Sequence, residues 1–243
     1  MTLDVVFLPS LLRSGSLVGR SVVVFDVLRA TTTMTAALAA GVREIRVYPD
    51  LDSVVAAGKT CDVPHLLCGE RQAVKPAGFD LGNSPGALNA QTHRGQTLLM
   101  STTNGTRAIL AAGEAASIFT GALVNASAVA DALIKTGPDI ALLCSGTEGE
   151  VSLEDILGAG AVIHAVRQRG EVELISDSAQ VADGLFQCRR DDLYSSLSGS
   201  HGGRNITRAG LTPDLEFCAR LDSFSVVGVV RGSPPIVTRW ENP

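Results

Sequence analysis

The sequence is poor in the residues that build disulfide frameworks and structural zinc sites. Its five cysteines are odd in number and scattered without a C-x-x-C pair, and its four histidines show no H-x-x-x-H spacing. A disulfide scaffold or a zinc site needs paired residues at such spacings. Neither is therefore predicted, and we expect the cysteines to be reduced.

Long hydrophobic runs and basic charge are also scarce. No apolar segment reaches membrane-spanning length, and the first residues, "MTLDVVFLPSLLRSG", lack the basic start and long apolar core of a signal peptide. The formal net charge of −5 provides no basic field for a polyanion, which argues against nucleic-acid binding. We expect a soluble, cytoplasmic protein without a membrane or nucleic-acid partner.

Apolar residues are abundant, at 45% of the 243 residues, and occur in short runs. Runs rich in Val, Ile and Leu alternate with helix-like segments, which predicts an α/β fold with a mainly parallel or mixed sheet covered by helices. The predicted strands are "LDVVFL", "SVVVFDV", "IRVY", "HLLCG", "TLLMS", "SIFTG", "DIALLCSG", "SVVGVVRG" and "IVTRW". The predicted helices cover residues 31–41, 51–59, 84–91, 105–112, 125–136 and 152–169.

Residues 177–221 interrupt this alternation. They contain two or three successive helix-like stretches and a Gly/Ser-rich joint, "SLSGSHGGRN". No flexible linker separates them from the rest, so we predict one domain over residues 1–243 with a helical cap or subdomain near its C-terminus.

Two helix-like stretches resemble each other. "TTTMTAALAAG" (31–41) and "TNGTRAILAAG" (103–113) both begin with Thr and end in A-x-L-A-A-G. They are either traces of a duplicated strand-helix-strand unit or a coincidence, because Ala favours helices and Gly favours their ends.

Polar residues follow four of the predicted strands at the point where each strand ends. In open α/β sheets, ligands bind beyond the carboxyl ends of the strands. We therefore expect these four segments to form one site. They are Asp26 with Arg29 and Thr31 to Thr33, then Gly69 to Arg71, Ser101 to Gly105, and Ser145 to Gly149.

The first segment has two interpretations. Three consecutive threonines after Arg29 exceed what a helix cap needs, so a helix N-terminus with a guanidinium could bind a phosphate or sulfonate. In the simpler interpretation, Arg29 forms an ion pair with Asp26 and the threonines only cap the helix.

The other segments also allow a functional and a structural interpretation. "STTNGT" (101–106) is either an anion-binding nest or a tight strand-to-helix turn. In "SGTEGEVSLEDILGAG", Ser152 and Asp155 have the spacing of a capping box, and there is no Walker A motif. The segment 68–88 is either a loop that closes over the site or an Ω-like loop before a capped helix.

Acidic residues in these segments are candidates for binding a hard cation. Mg²⁺ prefers a few carboxylate oxygens together with water and substrate phosphate oxygens. Acids beside anion-binding groups are typical of phosphoryl chemistry, where cations offset the charge of the transferred group. The candidates are Asp26, Glu70, Glu148, Glu154 and Asp155.

Five motifs in order resemble the 2-phosphosulfolactate phosphatase family. They are "FDVLRATTT", "CGERQAVKPAGFDLGNSP", "STTNGTRAI", "SGTEGEVSLEDILGAG" and "SHGGRNITRAGLTPDLEFCARLDSFSVVGVV". The resemblance covers nearly the whole chain. It implies an α/β/α layered fold and Mg²⁺-dependent hydrolysis of 2-phosphosulfolactate to sulfolactate and phosphate, a step toward coenzyme M.

The resemblance and the residue chemistry together suggest roles for individual residues. The motifs that carry the resemblance contain every residue given a role here, and also Glu154. We predict that Asp26, Glu70 and Asp155 hold or orient Mg²⁺ and its water, and that Asp26, Arg29 and Glu70 are catalytic. The predicted substrate-binding residues are Arg29, Thr31, Thr32, Thr33, Asp80, Asn83, Thr102, Thr103, Asn104, Gly105, Ser145 and Gly146.

Several alternatives remain open at the level of sequence. The attacking group is either a metal-activated water or Asp26 itself. The substrate is a small anionic phosphorylated molecule, either 2-phosphosulfolactate or another 2-phospho acid such as phospholactate or phosphoglycerate. A non-catalytic anion-binding protein with the same loops is the third hypothesis. The apolar helix faces permit a homodimer.

Overall fold

The computed structural model of the protein describes residues 1–137 and 139–241. Residues 138, 242 and 243 of the predicted domain lie outside the described residues. The strands are β1 (Thr2–Val6), β2 (Ser21–Phe25), β3 (Glu44–Val47), β4 (His65–Gly69), β5 (Thr97–Ser101), β6 (Ser117–Gly121), β7 (Asp139–Cys144), β8 (Glu173–Leu174), β9 (Gly228–Arg231) and β10 (Ile236–Arg239). The α-helices are α1 (Ala30–Ala39), α2 (Leu51–Thr60), α3 (Ala90–His93), α4 (Gly105–Ala111), α5 (Ala126–Thr136), α6 (Leu153–Arg167), α7 (Asp177–Arg189), α8 (Leu193–Gly199), α9 (His201–Arg208) and α10 (Thr212–Cys218).

The strands form one mixed sheet in the order β4-β5-β3-β10-β9-β6-β2-β7-β1-β8. Strands β6, β2, β7, β1 and β8 are parallel to one another, and so are β4, β5 and β3. Between the two groups, β9 and β10 pair antiparallel with each other and with their outer neighbours. The two parallel groups therefore run in opposite directions. The predicted α/β fold with a mixed sheet is confirmed.

Helices cover both faces of the sheet. In β2, Val23 and Phe25 pack into a buried cluster with residues of α5, α6 and α7, whereas Val22 and Val24 pack into a second cluster with residues of α1 and α4. This alternation follows from the period of two in a β-strand. Because helices cover both faces, all five residues of β2 are buried. The result is a three-layer α/β/α arrangement.

The sheet curves around α1 and α4. Strands β2 and β5 stand five places apart and run in opposite directions, so in a flat sheet their ends would be separated by about 24 Å at a strand spacing of about 4.8 Å. Instead, the backbone N–H of Gly105, four residues after the end of β5, donates at 2.7 Å to Asp26, the residue directly after β2. The curvature brings the carboxyl ends of the two opposed groups to the same region.

Most predicted elements are present, and two differences occur before residue 177. The short strand β8 was not predicted, because two residues carry no recognisable pattern. The predicted helix 84–91 is wrong as one element: a 3₁₀ turn at Pro85–Ala87 is followed by a new helix at Ala90. The break occurs because the Asn89 side chain caps that new helix by accepting from the backbone N–H groups of Gln91 and Thr92.

Residues 177–221 fold as four consecutive α-helices, α7 to α10, where two or three helical stretches were predicted. Helix α7 packs against α6, and α8, α9 and α10 pack against one another. Across the two described ranges, we find no helix with both the length and the apolar character needed to cross a membrane.

Candidate active site

A cavity of about 690 Å³ opens where the four predicted strand ends meet. Its volume is within the range of small-molecule sites. The convergence of the four segments is therefore confirmed, although two of the strands run opposite to the other two. The lining residues are Asp26, Leu28 and Arg29 after β2, Glu70 to Val74 after β4, Asn83, Thr103 and Asn104 after β5, Thr147 and Glu148 after β7, and Gly202, Asn205, Ile206, Arg208 and Ala209 of the α9 region.

The carboxylate of Asp26 lies between the starts of two helices. Its Oδ1 accepts a hydrogen bond from the backbone N–H of Ala30 at the start of α1 (3.1 Å), and its Oδ2 accepts from Gly105 at the start of α4 (2.7 Å). Gly105 is required for this approach, since a Cβ there would lie 2.8 Å from the Ala30 Cβ and 2.9 Å from Oδ2. The two similar sequence stretches thus form two helices whose first residues bind one carboxylate, while their origin by duplication stays a hypothesis.

Asp26 carries a strongly perturbed carboxyl group. Its pKa is raised from 3.8 to about 6, chiefly by burial; the charges of Glu70 and Glu154 act in the same direction, and the two backbone hydrogen bonds act in the opposite direction. The carboxylate is therefore costly to ionise unless a cation neutralises it. A perturbed acid that lines a cavity is a typical functional group.

Arg29 does not pair with Asp26, so the simple ion-pair interpretation is wrong. Its Nη1 donates to Asp214 Oδ2 (2.6 Å) and to the Ser84 hydroxyl (3.1 Å), and its Nη2 donates to the carbonyl of Ala73 (2.6 Å). Both charged side chains are buried, with relative exposures of 2% and 8%. Arg29 lines the cavity, but it also fixes α10 and the loop after β4 against the start of α1.

The threonines after Arg29 bind backbone carbonyls. The hydroxyls of Thr31, Thr32 and Thr33 donate to the carbonyl oxygens of residues 26, 27 and 83 at 2.9, 2.8 and 3.2 Å. Helix α1 has no side-chain cap at its N-cap residue, Arg29, so the capping interpretation is wrong. None of these three side chains lines the cavity. They hold the strand-to-helix segment together, and their predicted contact with substrate stays a prediction.

Glu70 joins the ends of β4 and β5. Its Oε2 accepts from the backbone N–H of Ala73 (2.9 Å), and its Oε1 accepts from both the backbone N–H (2.9 Å) and the hydroxyl of Thr103. Glu70 and Thr103 both line the cavity. The structure thus places Glu70 beside Asp26 in the same site, and their charges interact.

Two tight turns form part of the cavity wall. In Arg71–Val74, the end residues exchange backbone hydrogen bonds of 3.0 and 3.1 Å, and the central residues Gln72 and Ala73 have φ values of 52° and 66°. In Thr147–Glu150, the same exchange occurs, and Glu148 has a φ of 55°. Residues other than glycine rarely adopt this left-handed conformation, and such strain is concentrated at functional sites.

Asp155 connects the ends of β2 and β7. Its Oδ1 accepts from the backbone N–H of Val27 (2.8 Å), and its Oδ2 accepts from the Ser145 hydroxyl and the Gly146 N–H (both 3.0 Å). Burial raises its pKa well above the usual range, and the charge of Asp26 adds to this. Asp155 does not line the cavity. Its role as a metal ligand stays a prediction, and its contacts favour a supporting role.

The capping-box interpretation of Ser152 and Asp155 is wrong. Ser152 is the N-cap residue of α6, but its hydroxyl makes no capping hydrogen bond, and Asp155 points its carboxylate at another strand end. A capping box would require both side chains to bind the backbone of their own helix.

Two buried acceptors beside the cavity lack a hydrogen-bond partner within the described ranges. They are Glu154 Oε2 and Asn83 Oδ1. Glu154 is 1% exposed, and its other oxygen lies against Gly202, where a Cβ would come within 2.0 Å. Unpaired buried acceptors are rare and require an explanation such as a bound ion or water. Asn83 and Gly202 line the cavity.

The remaining predicted residues are divided between the cavity wall and its surroundings. Asn104 lines the cavity, whereas Thr102 is buried behind it and bonds to Thr106. Asp80 accepts from the backbone N–H of Leu67 and lies outside the cavity lining. Residues of α9 were not assigned a role from the sequence, although "SHGGRN" belongs to the fifth motif of the resemblance.

Comparison with known protein families gives a match over nearly the whole chain. A family described as 2-phosphosulpholactate phosphatase matches residues 6–233. Residues from all four strand ends and α9 lie within this match.

Individual relatives share the same description. A protein of Carboxydothermus hydrogenoformans, called a probable 2-phosphosulfolactate phosphatase, is 40% identical over 227 residues, which are 93% of this chain and 92% of the relative. A protein of Parasynechococcus marenigrum with the same description is 43% identical over 209 residues, or 84% and 86% of the two chains. A third, from Clostridium tetani, is 34% identical over 227 residues, or 93% and 96%.

Proposed function

The chain belongs to the 2-phosphosulpholactate phosphatase family, and from this premise we propose that it hydrolyses 2-phosphosulfolactate to sulfolactate and phosphate with the help of Mg²⁺. This makes it a phosphoric monoester hydrolase. The single observation that supports the metal is the group of acids at the cavity, in which Asp26 has its pKa raised to about 6 and, among the described residues, forms no salt bridge.

The donor set fits a magnesium ion. Asp26 and Glu70 line the cavity, and within the described residues each oxygen of Asp26 accepts a single N–H, which leaves lone pairs for a cation. Among the residues that the structure describes, no Lys, Arg or His lies within salt-bridge distance of Asp26, Glu70 or Glu154. The unpaired oxygens of Glu154 and Asn83 add hard acceptors nearby.

No group of three or more His, Cys, Asp or Glu side chains is arranged as a complete metal site in residues 1–137 and 139–241. Mg²⁺ does not require one, because it usually takes one or two carboxylates and completes its octahedron with waters and substrate phosphate oxygens. Asp26 and Glu70 are the two carboxylates that we assign to it.

Other residues that line the cavity would orient the substrate around the proposed magnesium ion. Bound Mg²⁺ would lower the pKa of a water molecule and offset the charge on the phosphoryl group. Thr103 and Asn104 face the cavity from the end of β5, and Asn104 can donate to a phosphoryl oxygen. Arg29 adds a positive charge at a fixed position in the cavity wall, because its hydrogen bonds to Asp214 and to the Ala73 carbonyl hold the guanidinium in place.

The reaction needs one water molecule and no other co-reactant. The water oxygen forms a new bond to phosphorus, the ester P–O bond breaks, and the hydroxyl of sulfolactate receives a proton. We propose direct attack by water. The alternative is attack by Asp26 with a phosphorylated intermediate. Rapid acid quench followed by mass spectrometry distinguishes the two mechanisms. A phosphoryl group found on Asp26 during turnover would show that Asp26, and not water, attacks the phosphorus.

The main test is phosphate release from racemic 2-phosphosulfolactate. We expect activity with Mg²⁺, loss with EDTA and recovery when Mg²⁺ is returned. Asp26→Asn should abolish turnover, whereas the matched control Asp191→Asn, at a fully solvated carboxylate on the surface, should leave it unchanged. Absence of metal-dependent release from the wild-type protein would reject the proposal.

The physiological role follows from the product. Sulfolactate formation is a step toward coenzyme M, and we propose this type of pathway for the chain. A panel containing phospholactate and phosphoglycerate would show whether a related 2-phospho acid is the better substrate. A non-catalytic anion-binding protein is less consistent with the site, because acids beside an anion-binding cavity weaken anion binding unless a cation is present.

A further inference from the structure

We propose that Arg71 and Arg208 recognise the sulfonate of the substrate from two walls of the cavity. This inference rests on the proposed function, which supplies the phosphorylated sulfonic acid, and it adds the residues that select for its sulfonate. Arg71 follows β4 and Arg208 ends α9, so the two side chains come from segments that lie far apart in the sequence.

These two arginines are the cations of the cavity that remain available. The third lining arginine, Arg29, is buried and paired with Asp214. In the portion of the chain that the structure describes, neither Arg71 nor Arg208 has a carboxylate within salt-bridge distance. Both residues line the cavity and both are exposed, so their side chains are accessible to an anion that enters it.

The backbone around Arg71 is fixed by hydrogen bonds to other residues of the site. It begins the tight turn whose central residues Gln72 and Ala73 are left-handed. The Ala73 N–H donates to Glu70, and the Ala73 carbonyl accepts from Arg29. Because both backbone groups of Ala73 are bound by site residues, the start of the Arg71 side chain has a defined position relative to the carboxylates. Such pre-organisation reduces the entropic cost of binding.

Arg208 is oriented by a neighbour that also lines the cavity. Its Nη1 donates to the Asn205 Oδ1 (2.8 Å), one turn earlier on α9. Among the described residues the guanidinium has no other hydrogen-bond partner, so its remaining N–H groups can donate to a ligand. Helix α9 is kept in place through its packing against α10, which carries the Asp214 that pairs with Arg29.

The chemistry of the sulfonate matches this pair of residues. A sulfonate keeps its negative charge at all physiological pH values, and its oxygens are weak bases that compete poorly for a metal ion or a proton. Guanidinium groups bind such oxyanions through several directed N–H donors. Asp26 and Glu70 would hold the cation that takes the phosphoryl group, and Arg71 and Arg208 would take the sulfonate.

The experiment compares two substrates that differ only in the sulfonate, 2-phosphosulfolactate and 2-phospholactate, with Arg71→Gln and Arg208→Gln. Each variant should lose about 10- to 100-fold in kcat/KM for the sulfonate substrate, mainly through KM, and change less than about threefold for phospholactate. Arg204→Gln is the matched control, because this exposed arginine of the same helix does not line the cavity. It should change neither value.

An equal loss for both substrates, or no loss for either, would overturn the proposal. Thermal unfolding of both variants should match the wild type, which excludes a folding defect.

If the wild-type protein hydrolyses neither substrate, the proposed function fails. Calorimetric binding of sulfolactate and of lactate then tests the recognition alone: a wild-type preference for sulfolactate that both variants lose would support it, and equal binding of the two acids would reject it.

Discussion

Replacing Asp155 with asparagine separates a supporting role from a metal-binding one. The carboxylate accepts three hydrogen bonds, from the backbone of Val27 and Gly146 and from the Ser145 hydroxyl. In Asp155→Asn, the amide oxygen can keep the bond to Val27, and the serine hydroxyl can rotate to accept from the new amide. The Gly146 N–H then has no acceptor.

The expected loss of stability follows from that one unpaired group. A buried N–H without a partner costs about 1–3 kcal/mol, and removal of a buried negative charge acts in the opposite direction. In a protein of this size, 1 kcal/mol corresponds to about 2–4 °C in Tm, so Tm should fall by at most about 12 °C. Differential scanning calorimetry in EDTA measures this decrease.

The role of the residue is tested by adding Mg²⁺ to the same sample. If Asp155 supports the strand ends, the increase in Tm produced by Mg²⁺ and the Mg²⁺ affinity from calorimetry should be nearly those of the wild type. Ser145→Ala is a control that removes one donor and leaves the carboxylate in place. A variant that keeps the wild-type Tm in EDTA but no longer responds to Mg²⁺ would refute the supporting role and make Asp155 a ligand.

Three further predictions concern the residues around the cavity. The pKa of Asp26, about 6 when folded and 3.8 as its ordinary value, means that its contribution to stability is present below pH 4 and lost as pH rises through 6. Urea unfolding in EDTA should therefore show the wild type losing about 2 kcal/mol relative to Asp26→Asn between pH 4 and 7; a constant difference would contradict the raised pKa. Arg29→Gln removes the ion-pair partner of the buried Asp214 carboxylate and should lower the unfolding free energy by about 3–5 kcal/mol. A loss below about 1 kcal/mol in urea titrations would show that the ion pair is not desolvated. Gly105→Ala places a Cβ against Ala30 and the Asp26 carboxylate. This variant should lose about 1–3 kcal/mol of unfolding free energy and most of its activity. An active variant with the wild-type Tm would disprove the close approach of Asp26 to Gly105.

Much of the fold and part of the site could be predicted from local sequence. The strands are short apolar runs and the helices are Ala-rich segments with glycine near their ends, so neighbouring residues carry the pattern that defines each element. The same local information placed Asp26 and Glu70 directly after strands. Both line the cavity, because the carboxyl ends of these strands are where the chain leaves the core.

The partners of these residues depend on the tertiary structure. Arg29 pairs with Asp214, which lies 185 positions later in the chain, and not with the neighbouring Asp26. Asp155 binds the end of β2 where its spacing predicted a cap of its own helix. In both cases packing of distant segments determines which donor is within reach of a buried carboxylate.

Local sequence is sufficient to define the elements and the polar residues at their ends, since periodicity and turn chemistry act over a few positions. Which of these ends meet depends on long-range packing, because curvature of the sheet around α1 and α4 brings two oppositely directed groups of strands to one cavity. The same packing makes α9 a wall of that cavity and adds Arg208 to its lining. Burial of apolar faces on both sides of a curved sheet is a property of the whole chain, and no short segment encodes it.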